Sequence, residues 1–154
     1  MTEGMRITDL MDRAFHGTAW HGPAVMELLK DMSAATALAR PLTNVHTIWE
    51  LVLHMATWKD VARWRLEGNE KVPGDEENFP PVTDTSENAW HAARERLNTA
   101  HNKLKEAVTA AADAKLEEEI PAGGGLTHFV RLHGVIHHDL YHAGQIAILK
   151  KLAG

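Results

Sequence analysis

The sequence predicts an all-α protein built as a bundle of four long helices. Apolar residues recur at helical rather than strand spacing, and Pro and Gly clusters divide the chain into four such segments with short or irregular connections. No segment reads convincingly as a strand. A length of 154 residues suits one core, so a single domain over 1–154 is expected.

The first segment runs from about Thr8 to Met32 and is interrupted by "GTAWHGP". Gly17, Gly22 and Pro23 there predict two helical pieces with a bend between them, Pro23 suiting the first turn of the second piece. The second helix has the clearest start. In "TIWE", Thr47 and Glu50 have the S/T-x-x-E spacing of a capping box, so helix follows from Ile48 and continues to Gly68, a residue able to take the left-handed conformation that ends many helices. Between Gly68 and Ser86, "GNEKVPGDEENFPPVTDTS" is too broken by Pro and Gly for regular structure. A connection of this length inside a small domain is usually disordered or a functional lid, and Phe79 gives it something apolar to dock. The third helix spans about Glu87 to Asp113, rich in strong helix formers. After "KLEEEIPAGGG" the fourth spans about Leu126 to Leu152.

Composition excludes several functions. With 16 Lys+Arg against 21 Asp+Glu the net charge is −5, so no excess positive charge suits a phosphate backbone or an anionic membrane. There are no cysteines, which removes disulfides, thiolate ligands and a cysteine nucleophile. The N-terminus lacks the apolar core of a signal peptide and no apolar run is long enough to span a membrane, so a soluble cytoplasmic protein is expected.

Imidazole and carboxylate remain for chemistry, and "HGVIHHDLYHAGQ" concentrates four histidines in the last helix. Residues four apart lie about 40° apart around a helix and about 6 Å along it, so His138 and His142 share a stripe and could share an ion. His133 and His137 form a second such pair turned about 140° away, so both pairs cannot serve one ion. Either pair has a plain alternative as hydrogen-bonded histidines, because metal use requires a third ligand from elsewhere. His54 is a candidate for it. It sits in the second helix among Leu51, Leu53, Met55 and Trp58, where an imidazole needs a partner. Asp139 points about 100° away from His138 and is not expected to join it.

"TIWELVLHMATWKD" and "HHDLYHAGQIAILKK" together resemble the DinB-like family of small four-helix metalloproteins, and "AWHGP" is similar to one branch of it. The resemblance implies an up-down-down-up bundle, often a homodimer, in which His54, His138 and His142 are the ligands of one divalent ion, zinc first and nickel or iron next. Where the family commonly has Arg before its Gly-Gln, this chain has Ala143, which leaves the ligands intact. No role falls to His133 or His137. Glu50, one turn before His54, is either a fourth ligand or general base or only the closing residue of the capping box, and the cap is favoured. Trp58, one turn after His54, is placed to wall the pocket or to serve as core. Gln145 lies near the stripe of His142, where its amide can orient that ring. His21, in the first bend, either lines the entrance to the pocket or is a solvated loop residue, and the solvated loop is favoured.

Three imidazoles leave a four-coordinate ion one open position, the arrangement of a catalytic site. Some relatives are thiol-dependent transferases, so the resemblance implies a low-molecular-weight thiol cosubstrate, or water, activated for transfer to or hydrolysis of a small electrophile. No catalytic side chain is singled out. The alternative is a metal-binding stress-response protein without turnover. Neither reading involves nucleic acid or membrane.

Overall fold

The computed structural model describes residues 1–121 and 123–154 and is helical throughout those residues apart from loops and one isolated bridge, Glu119 to Thr127. Four long helices carry it: α1 (Glu3–Phe15), α4 (Ile48–Leu66), α6 (Glu87–Ala110) and α8 (His128–Leu152). Single-turn or short helices lie between them, α2 (Val25–Leu29), α3 (Ala34–Leu38), α5 (Asp75–Asn78) and α7 (Asp113–Leu116).

Each long helix begins on a hydroxyl. Thr2, Thr47, Ser86 and Thr127 accept hydrogen bonds from the backbone N–H groups of Met5, Glu50, Ala89 and Val130, which satisfies donors a helix start would leave unpaired. At α4 the capping box is complete, with the Thr47 N–H donating to Glu50 Oε2 at 2.7 Å. Gly68 ends that helix at φ +80°, a conformation costly for any residue with a Cβ.

Side-chain contacts fix the packing. Trp49 meets Trp90, while Arg96 reaches the Leu53 carbonyl and, further along, Thr57, so α4 and α6 run the same way. Against α1 the numbering runs oppositely: His16 meets Asn98, Asp12 meets His101, and Gly4 abuts Val108. A Cβ at Gly4 would stand 2.7 Å from the Val108 carbonyl oxygen, so only glycine permits this approach. Helix α8 is antiparallel to α4, with His142 near His54 and Asp139 on Lys59. These directions make an up-down-down-up order.

The apolar core falls into two clusters, one around Phe15, Trp49, Met55, Trp90, Leu97 and Ile146, the other around Ile7, Met11, Leu104, Leu132 and Val135. On three helices the residues between these clusters include a buried polar one: Lys59 on α4, His101 on α6 and Asp139 on α8. The bundle therefore carries a polar layer across its middle, next to the histidines of α4 and α8.

Several sequence expectations need correcting. The first helix starts at Glu3, because Thr2 caps it, and Pro23 precedes the Ala24 cap of α2 rather than standing in its first turn. The third helix ends at Ala110, and Asp113 opens α7 instead, its carboxylate accepting the Glu3 N–H at 3.1 Å. The Gly68–Ser86 connection is not wholly irregular, since Asp75–Asn78 forms one turn. Helix α3 had no signal strong enough to predict it.

Candidate metal centre

His54 on α4 and His138 and His142 on α8 bring one ring nitrogen each within 4.8 Å of one another. His138 Nε2 is 3.1 Å from His54 Nε2 and 3.0 Å from His142 Nε2. Two of the rings are fixed from behind. The Nδ1–H of His54 donates to the Asn78 carbonyl at 3.0 Å, and the Nδ1–H of His142 donates to Gln145 Oε1 at 2.6 Å. A neutral imidazole that donates from Nδ1 presents a lone pair at Nε2, so His54 and His142 both aim lone pairs at His138. One proton on His138 Nε2 could serve only one of them. The group is short of protons in the way a cation-binding set is.

The spacing fits as well. Donors on a tetrahedral ion with bonds of about 2.0–2.1 Å stand about 3.3 Å apart, a few tenths more than the 3.0 and 3.1 Å found here. All three rings are held neutral. Burial, reinforced by the neighbouring His142, His54 and Lys59, lowers the pKa of His138 to about 3. Burial likewise lowers those of His54 and His142. These residues could hold a divalent metal ion.

The connection before α6 packs on this group. Phe79 stacks face to face on His54, with centroids 4.1 Å apart, and His46 stacks on the other face of Phe79 at 3.7 Å. Asn78 contributes its carbonyl to His54 and its side-chain oxygen to the Trp58 indole N–H at 2.8 Å. The segment expected to dock through Phe79 does so, and nothing local to Asn78 marks it as a partner of His54. Trp58 also walls a cavity of about 290 Å³ lined by Ala62, Val130, Arg131, Gly134, Val135 and His138.

The other residues singled out from the sequence lie as follows. Gln145 holds His142, as its place on the helix suggested. The Glu50 carboxylate accepts the Thr47 N–H and pairs with Arg40 at 2.6 Å, so it closes the capping box and does not join the three rings. His137 and His21 are exposed, and the half-buried His133 donates from Nδ1 to the Phe129 carbonyl at 3.0 Å. Asp139 lies beside His138 in sequence but is paired with Lys59 at 2.6 Å, each side chain 1% exposed. Burial pushes its carboxyl up against the opposing pull of Lys59, and its Oδ1 has no partner among the described residues.

A helical bundle with three converging imidazoles contributed by two facing helices defines a class of potential metal-binding proteins. The sequence matches the DinB superfamily over residues 18–146, and the chain belongs to that superfamily. A solved structure described as a conserved protein from Enterococcus faecalis shares the fold, with a TM-score of 0.76 and 18% identity over 99% of this chain and 98% of the other. No curated protein matches the sequence. Among the described residues no helix is long and apolar enough to cross a membrane.

Proposed function

We propose that this chain is a metal-dependent enzyme of the cytoplasm in which His54, His138 and His142 hold one divalent ion, zinc in the first instance with nickel or iron as alternatives. The observation that carries the reading is the convergence of three Nε2 atoms, two of them aimed by Asn78 and Gln145, with His138 also lining a cavity. A divalent ion held by three imidazoles supplies Lewis acidity, lowering the pKa of a water or thiol so that it can attack at neutral pH. The chain's own residues do the rest. Trp58, Ala62, Val130 and Val135 offer an apolar wall for a small electrophile beside His138. Phe79 shields the face of His54 from water. With no cysteine in the sequence, a thiol nucleophile would be a low-molecular-weight cosubstrate.

A second reading, metal binding without turnover, is favoured by one feature. Asn78 and Phe79 sit directly on His54, as expected of a closed structural site.

Cobalt titration of the metal-free protein tests both. His54→Ala, His138→Ala and His142→Ala should each weaken binding sharply, whereas His133→Ala and His137→Ala should bind as the wild type does; equal loss in all five variants would mean the wrong stripe was chosen. If a small thiol then produces a thiolate-to-cobalt charge-transfer band, the enzyme reading gains support. A spectrum indifferent to thiols, with no thiol- or water-dependent turnover of activated esters above that of His54→Ala, leaves the binding protein.

A further inference from the structure

We propose that the cavity beside His138 binds a small organic carboxylate with an apolar body, the carboxylate being paired by the Arg131 guanidinium. This names a ligand class for the site described above and rests on His138 standing at the reactive end.

Arg131 lines the cavity with Trp58, Ala62, Val130 and Val135, and apart from His138 it is the lining's one polar side chain. Its Nε is buried and has no hydrogen-bond partner among the described residues. In a chain of net charge −5, four of the eight arginines, Arg13, Arg40, Arg63 and Arg96, have an acidic partner. Among the described residues Arg131 has none. Instead it has a like charge nearby, since Arg65 helps burial to lower its pKa, and Arg65 donates to the Asn69 carbonyl rather than to a carboxylate. A partly buried guanidinium with a cationic neighbour and no counter-charge, its terminal nitrogens open to solvent, gains from the arrival of an anion. An incoming carboxylate would meet a planar fork of donors that matches its geometry.

Position and size narrow the ligand. Arg131 and His138 are seven residues apart on α8, hence about 20° apart around the helix and about 10 Å along it, and face the same cavity. A ligand anchored at Arg131 would extend along the apolar wall toward His138. The cavity, about 290 Å³, has room for about ten waters' worth of ligand. The lining supplies one guanidinium and no hydroxyl or amide side chain, which suits a singly charged carboxylate better than a phosphate dianion.

The test uses metal-free protein, so that an anion cannot bind to the ion instead. By calorimetry at low ionic strength, 4-phenylbutanoate should bind about tenfold or more tightly than its neutral isostere 4-phenylbutanamide. Arg131→Gln should bring the carboxylate down to the amide's affinity and leave the amide unchanged, and Arg131→Lys should recover part of the difference. Equal affinities for the two ligands in the wild type, or tighter binding of phenethyl phosphate than of the carboxylate, would overturn the proposal even if Arg131→Gln did not fold. Because no metal is present, such a failure leaves the cobalt affinity of the three histidines untouched, and a failure of cobalt binding leaves the carboxylate preference standing.

Discussion

Replacing Lys59 with Met should cost the fold about 3–5 kcal/mol, whereas changing Lys59 to Met and Asp139 to Leu together should cost little or even stabilise. The Nζ to Oδ2 distance is 2.6 Å and both side chains are 1% exposed. At an effective dielectric of about 20 the attraction is about 6 kcal/mol, against a loss of hydration of several kcal/mol for each ion, so the pair as a whole comes close to neutral. Removing one partner discards the attraction and keeps the other ion's desolvation. Asp139 is poorly placed to recover, since its Oδ1 already lacks a partner among the described residues, and the ammonium's contact with the Phe15 ring at 4.7 Å is lost as well. Its remaining escape is to bind a proton. Burial raises its carboxyl pKa in the fold, and without Lys59 nothing opposes that, so the variant's deficit relative to wild type should shrink as pH falls toward the unfolded carboxyl value near 3.9 and grow as pH rises. Urea denaturation followed by far-ultraviolet circular dichroism measures the cost, and the melting temperature should drop by about 6–20 °C for a chain of this size. A cost below about 1 kcal/mol for Lys59→Met, or a double variant as unstable as the single one, would refute this account of the polar layer.

Two further outcomes follow from the same geometry. Gln145→Leu removes the acceptor that fixes His142, so cobalt affinity should fall by about 10–100-fold while helix content is retained; unchanged affinity would mean that the 2.6 Å contact does not orient the ring. His101 is fully buried, and burial first, then the Lys59 charge, lowers its pKa to about 3 against about 6.5 when unfolded. A depressed histidine contributes stability above the unfolded value that is lost as pH falls, here from about 6.5 toward 3, up to about 4–5 kcal/mol in all. His101→Gln should flatten that decline in urea midpoints, and an equally steep decline in the variant would contradict it.

The long helices were legible because their signals are local. Thr47, Glu50 and Gly68 delimit α4 through backbone hydrogen bonds and a positive φ, which need only neighbouring residues. The errors fall where tertiary contacts decide. Helix α3 is five residues long and is held through Glu87, 53 residues away, whose carboxylate accepts the Ala34 N–H. The turn at Asp75–Asn78 lies among prolines and glycines, and its last residue bonds to His54 and Trp58. At the site, His138 and His142 share a stripe by helix geometry alone, and Gln145 follows from it. His54 is a candidate third ligand from its apolar surroundings, but only the family resemblance joins it to this pair, since no local rule says which helices face each other. Asn78, Arg131 and the Lys59–Asp139 pair depend on that facing and carry no signal of their own.

The same limit explains a group the sequence did not suggest. Asp12, His16 and His101 also bring ligand-type atoms within 4.8 Å of one another, so by residue type and distance they equal the three histidines. Their surroundings differ. One Asp12 oxygen lies 3.1 Å from both His16 Nδ1 and His101 Nε2, and the other is held by the Lys105 ammonium. Burial acts to raise the Asp12 pKa, but the bonds to Lys105, His101 and His16 outweigh it and draw it down to about 2. A metal ion entering there would meet an ammonium already bound to the one anionic ligand and would have to displace it. His101, stacked on Phe15 at 3.9 Å, is seated in the core rather than beside a cavity. Among the described residues no lysine or arginine bonds to the rings of His54, His138 and His142, and the charge of Lys59, which acts on His138, is matched by Asp139. What separates a structural cluster from a candidate metal centre in this bundle is whether a cation of the protein's own already occupies the ligands.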